Sequence, residues 1–301
     1  MKIVQNRTTS YLSANFTEDE TQWLIGSLFN YTDEIRDGHY IYKYAGADGT
    51  NTTDSPAVNS LTITPSWVKI KPTNYYAMID GETGTQTENA ETITISITGI
   101  NYDSFSLLEV VGTTIDIELY DNSTSAVVFE KTFDLQDESS IIDFFTYCFS
   151  EFTFTPSIYT DAIPLYTDAK LTITISNAGS IAKCGRLVFG RSSYIGDTGY
   201  GANLGIESYS RKVVDEFGNT TLVHRGSVNL DSYEVQVPTQ KIPLLKRKAQ
   251  ELDAIPILFV MDESPTSNTE NLLNFGYWHS FSMLIPNSVK SSISLTIKGI
   301  L

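Results

Sequence analysis

The chain has 301 residues, 41% hydrophobic and 12% aromatic, with 20 Lys and Arg against 36 Asp and Glu, long enough for one large or two ordinary domains with real cores. The charge is uneven: residues 1–180 carry 8 basic and 25 acidic side chains, residues 181–301 carry 12 and 11. Nucleic acid and anionic lipid need clustered Lys and Arg, so nucleic-acid binding is excluded as a general function. No run approaches the roughly 20 apolar residues that cross a bilayer, and Met1-Lys2-Ile3-Val4-Gln5-Asn6-Arg7 lacks the apolar core of a signal peptide. Neither membrane insertion nor secretion is expected. Cys148 and Cys184 are expected as free thiols in a reducing cytoplasm.

Residues 1–60 form a first zone with Trp23, a tyrosine-rich run at 40–44 and a polar loop at 46–55. Residues 61–190 hold alternating apolar and polar positions at 92–97, 114–119 and 171–175. Such alternation marks strands of antiparallel sheets with one wet face. Turn signals at Asp80-Gly81, Asp121-Asn122-Ser123 and Asn177-Ala178-Gly179 separate them. About eight evenly spaced strand candidates predict a jelly-roll β-sandwich here. Residues 191–301 change style. A Gly-rich segment at 196–205 leads to two strands joined across Asp215-Glu216-Phe217-Gly218-Asn219. One amphipathic helix follows, with Thr239 as N-cap, Pro243 in its first turn and Ile242, Leu245, Ala249 and Leu252 on one face. The apolar run 255–260 and strands near 275–285 and 291–298 complete an α+β unit. The fold class is mainly β.

Chemistry is sparse. His39, His224 and His279 have no second His or Cys at ligand spacing, and no metalloprotease, P-loop or nucleophile-elbow motif occurs. The glycines at 199, 201 and 205 lack the lysine and following helix of a phosphate loop. Asp80, Glu82 and Glu88 share a Gly/Thr-rich loop with oxygen ligands suited to calcium, in an order matching no defined calcium loop. Neither catalytic residues, a metal nor a cofactor are expected. Aromatic side chains are the more suggestive feature. Trp23, Trp67, Tyr75 and Tyr76 lie among polar loops, and such rings stack on sugars or anchor protein interfaces.

Two sets of blocks carry a resemblance. The first is Trp67-Val68-Lys69-Ile70-Lys71-Pro72-Thr73-Asn74-Tyr75-Tyr76-Ala77-Met78-Ile79-Asp80-Gly81, followed by Asp143-Phe144-Phe145-Thr146-Tyr147. The second comprises Gly190-Arg191-Ser192, Tyr200-Gly201-Ala202, Tyr209-Ser210-Arg211-Lys212, the turn around Phe217, Phe275-Gly276-Tyr277-Trp278-His279-Ser280-Phe281 and Ile297-Lys298-Gly299-Ile300-Leu301. Together they resemble a family of tailed-bacteriophage virion proteins of the tail and baseplate, often described only as hypothetical or carbohydrate-binding. The resemblance implies a non-enzymatic structural component with a galactose-binding-like jelly roll and a C-terminal docking module. Residues Tyr209, Arg211, Phe217, Tyr277, Trp278 and Phe281 are the implied docking set. The implied partners are other tail or baseplate proteins and sibling copies in a ring, in a virion assembled in the host cytoplasm. The alternative is a host-surface glycan-binding module using the aromatic side chains above, and a carbohydrate-active enzyme stands third.

Overall fold

A computed structural model describes residues 1–7, 11–18, 20–51, 53–98, 102–137, 141–149, 153–199, 201–261 and 273–300. The alternating segments become strands, and their register explains the alternation. Ala169–Gly190 is the axis of a seven-stranded sheet. It pairs antiparallel with Thr87–Thr98 on one side and with Thr114–Asp121 on the other. Ile93, Ile175 and Ile115 form one rung; Ile95, Ile173 and Ile117 the next; Ile97, Leu171 and Leu119 the third. All nine side chains are buried in one core with Phe105, Leu107, Leu187 and Phe189 from the sheet's other end. The positions between these rungs face the other way and carry hydroxyls, with Thr94 to Thr174 at 3.3 Å and Ser96 to Thr172 at 3.2 Å. Each residue's parity thus sets which side of the sheet it occupies.

Asn177-Ala178-Gly179 is a correction to the sequence reading. The chain does not reverse there: the segment bulges out of a strand that continues in the same direction, with Gly179 at φ +75° and the register shifting between Ser176 and Ile181. Beyond the bulge the axis strand pairs with Ser104–Val111. One 22-residue strand therefore serves both ends of the sandwich.

The last third builds an eight-stranded sheet. Its main path runs Ser192–Tyr194, Lys2–Gln5, Ile257–Val260, Leu273–Leu284, Lys290–Gly299, Ser227–Pro238 and Asp197–Thr198, with Ile206–Ser208 also on Ser227–Pro238. The all-apolar run at 257–260 is explained by burial on both faces. Ile257 and Phe259 pack in the core beneath the helix, Leu258 and Val260 against Val4, Leu108, Val188 and Phe275 toward the sandwich. The helix Ile242–Glu251 buries Ile242 and Leu245, and Leu252 just beyond it is buried too. Thr239 is not its N-cap. It opens a short 3₁₀ turn, Thr239–Lys241, and its hydroxyl contacts Asn287 O and Ser291 Oγ, while Lys241 stands at the cap without a side-chain bond.

The three compositional zones do not coincide with the packing units. Lys2–Gln5 belongs to the C-terminal sheet, between strands near 193 and 258. Trp67–Pro72 pairs with Tyr40–Tyr44, which pairs with Glu34–Asp37, making a small three-stranded sheet. Its core is Phe29, Ile35, Tyr42, Tyr44 and Trp67. No helix among the described residues is long and apolar enough to cross a membrane.

Candidate interaction surface

From the C-terminal sheet projects a hairpin, Arg211–Val214 paired with Thr220–Val223. Every residue from 208 to 227 is exposed. Its turn closes on itself. Asp215 Oδ1 accepts hydrogen bonds from the Phe217 and Asn219 amides at 2.9 and 2.7 Å, and Oδ2 accepts from Asn219 Nδ2 at 2.8 Å. The Asn219 side chain and amide hold the Asp215 carboxyl below its ordinary range. Gly218, at φ +83°, takes the left-handed position the turn requires. Opposed residues share a face. Val213 and Val223 therefore lie on one side with Arg211 and Thr221, Val214 and Leu222 on the other with Lys212 and Thr220. Phe217 at the tip is 90% exposed.

The root of this arm is fastened firmly. Lys298 reaches Glu207 at 2.8 Å, and that bond first, with Tyr209 second, raises the lysine's proton affinity. Its ammonium sits 5.5 Å from the Tyr209 ring, and the Tyr209 amide donates to Gly226 O at 3.1 Å. Between the root and the sandwich opens a cleft of about 770 Å³, bounded by Ile206 and Val228 on one side and Leu108 and Pro156 on the other. In its wall, buried Asn274 donates to buried Asp231 at 2.7 Å.

A second exposed apolar element lies on the sandwich. The short helix Phe144–Phe149 follows Ile142, which is 84% exposed; Phe144 is 82% and Phe149 74% exposed. Phe145 packs on Phe149 at 4.8 Å, and Cys148 between them in sequence is a free, exposed thiol. Sequence reading singled out 143–147 only as part of a block. The signal for a surface was there: consecutive aromatics with neither the period of a strand nor the length of an amphipathic helix.

The implied docking residues divide. Tyr209, Arg211 and Phe217 lie on the arm and are exposed. Trp278 is 9% exposed and edge-on to Phe259 and to Phe281, so its ring is core rather than contact surface, while Phe281 is half-buried against that core. Tyr277 is half-buried opposite Lys298. Tyr200 lies outside the described residues.

Of the aromatic set read as sugar or interface platforms, one residue is corrected. Trp67 is fully buried, edge-on to Phe29 at 4.9 Å. Tyr75 wedges between Tyr11 and Phe16 at the sandwich core. Trp23 is half-buried against the small core, and Tyr76 stacks on His39 at 4.2 Å. Aromatic side chains in polar loops gave no warning of this, because several of their partners are distant in sequence: Trp67 meets Phe29, Tyr75 meets Tyr11 and Phe16, and Tyr76 meets His39.

The candidate calcium loop also comes apart. Asp80 points inward to Arg186, Nη1 at 3.6 Å, and accepts from the Glu82 amide and the Thr85 hydroxyl; Glu88 pairs with Lys183 at 2.6 Å. Burial raises the Asp80 carboxyl above its ordinary value and weakens the Arg186 guanidinium's hold on its proton. The Arg186 guanidinium lies over the Phe275 ring at 4.8 Å, which ties the sandwich to the C-terminal sheet. Among the described residues no group of three His, Cys, Asp or Glu is placed to hold a metal ion.

No protein-family model matches this chain, and no curated protein matches it.

Proposed function

We propose that this protein is a non-enzymatic structural subunit of a phage tail or baseplate whose copies join head to tail, the arm of one on the aromatic helix of the next. The observation that carries the reading is the pair of exposed apolar elements, one on each half of the chain. A head-to-tail ring needs two different, complementary patches on each subunit, whereas a two-fold dimer needs one self-complementary patch. A two-stranded hairpin with apolar side chains on both faces is marginal in water alone, and burial against a neighbour supplies what it lacks. Charge agrees: the arm carries Arg211, Lys212 and Arg225 against Asp215 and Glu216 at its tip, while Asp137 and Asp143 flank the aromatic helix. The tail or baseplate setting rests on the resemblance of the blocks described above, and on it rests a location in virions put together in the host cytoplasm.

The glycan alternative keeps Trp23, Tyr75 and Tyr76 as partly accessible rings and loses Trp67, which is fully buried. The assembly reading is tested by crosslinking. With Leu222→Cys, mild oxidation is expected to yield a covalent ladder through Cys148, lost when Cys148→Ser is added; Cys184 is buried and does not interfere. Monomer alone, by crosslinking and by sedimentation at high concentration, would overturn it.

A further inference from the structure

The two-residue period of a strand divides the arm into two faces. Pairing of Arg211 with Val223 and of Val213 with Thr221 sets these four on one face, and Lys212, Val214, Thr220 and Leu222 on the other. Each face carries two apolar side chains and one cation, and all eight residues are exposed. Docking on the aromatic helix through Leu222 covers one face. The Val213 face stays in water in that contact, because a ribbon two strands wide has no interior of its own.

The receiving side also has two parts, and they adjoin. The aromatic helix sits in a lobe closed at its base by Gln136–Asp137 pairing with Thr153–Phe154. From Phe154, 46% exposed, the chain runs directly into Pro156 and Ser157 of the wall of the cleft of about 770 Å³. On the cleft's other side stand Leu204 and Ile206, 48% and 74% exposed. No Lys, Arg or His lines the cleft, and two carboxylates do. Asp231 is buried and held by Asn274. Glu109 is exposed, and among the described residues its carboxylate meets no donor or cation, just as Arg211 meets no carboxylate. Glu109 also stands at φ +52° beside Gly185, where a Cβ would come within 2.8 Å of its own. Left-handed backbone strains a residue other than glycine, and such strain gathers at functional positions.

We propose that the neighbouring copy's arm is clasped on both faces: Val214 and Leu222 on the aromatic helix, Val213 and Val223 in the mouth of the cleft, with Arg211 paired to Glu109. This rests on the head-to-tail reading and adds to it a second seat and the ion pair that sets the arm's register. Opposite charges that meet across an interface select the partner and its orientation. The cleft also borders the root of the subunit's own arm, so each arm enters beside the place where the next departs, a relation that a head-to-tail ring repeats at every subunit.

Charge exchange tests the pairing, read by sedimentation of the full chain. Glu109→Lys is expected to weaken self-association about tenfold, although it makes a chain of net charge −16 less acidic and so lessens the general repulsion between copies. Arg211→Glu is expected to weaken it as much. The Glu109→Lys/Arg211→Glu double variant, with the parent's net charge, is expected to recover the parent's association to within about twofold. Association unmoved by Glu109→Lys, while the Leu222→Cys ladder through Cys148 still forms, overturns the second seat and leaves the helix contact standing. A double variant no stronger than either single one overturns the pairing in the same way. A parent chain that stays monomeric throughout overturns the head-to-tail reading itself.

Discussion

The axis strand Ala169–Gly190 and the arm Arg211–Val223 are both β, both rich in branched side chains, and opposite in what surrounds them. In the first, alternate residues are buried on three successive rungs. In the second, no residue is buried at all. The difference is in what lies alongside. The axis strand has neighbours on both sides and a covered face, while the arm has one neighbour and none beyond. Alternating sequence states that a face is apolar; it does not state whether the same chain or another covers it.

Truncation at the core of the axis strand gives the largest contrast. Ile173→Ala is expected to destabilise the isolated chain by about 4 kcal/mol, as for buried aliphatic truncations with little room to relax. Denaturant unfolding measures it, and a loss under 1 kcal/mol would mean that the rungs are not the sandwich's stable centre. Next comes the buried pair. Arg186→Met leaves the Asp80 carboxylate without its cation, and the expected loss at neutral pH is about 3 kcal/mol. The sign follows from the raised carboxyl. A carboxyl raised in the folded state lends stability below its unfolded value near 3.8 and withdraws it as pH rises through the folded value. Without Arg186 that folded value climbs further, so the deficit of the variant grows as pH rises from the wild-type folded value through the higher value of the variant. Unfolding curves at several pH values check it, and a deficit independent of pH would assign Arg186 a packing role only. Smallest in stability is the arm: Leu222→Ala and Val213→Ala are expected to change unfolding by less than about 0.5 kcal/mol. The same substitutions are expected to weaken self-association in sedimentation, which separates this face from every core position. A large stability loss on the arm would place its cover within the chain.

The strands were legible because their cores are local in pattern: 92–97, 114–119 and 171–175 each carry the period-2 signal, and the structure pairs all three. The turn at Asp215 was legible for the same reason. What the sequence hid is nonlocal. Nothing in Lys2–Gln5 announces partners near 193 and 258. Trp67 looks like any surface aromatic until Phe29 and Tyr44 close around it. The arm lay within reach of sequence reasoning as a hairpin, and its lack of cover did not, since exposure depends on everything the rest of the chain leaves unfilled.

The strand at Lys2–Gln5 also sets an order of events during synthesis. It leaves the ribosome long before its partners, and its two hydrogen-bonding edges stay open until residues near 193 and then near 258 have emerged. Pairings so far apart in sequence form late and slowly, whereas the sandwich strands between 87 and 190 meet sooner. A nascent chain stalled before residue 257 would thus carry a finished sandwich and an early strand with one edge unfilled, an adhesive intermediate that the emergence of residues 257–260 retracts.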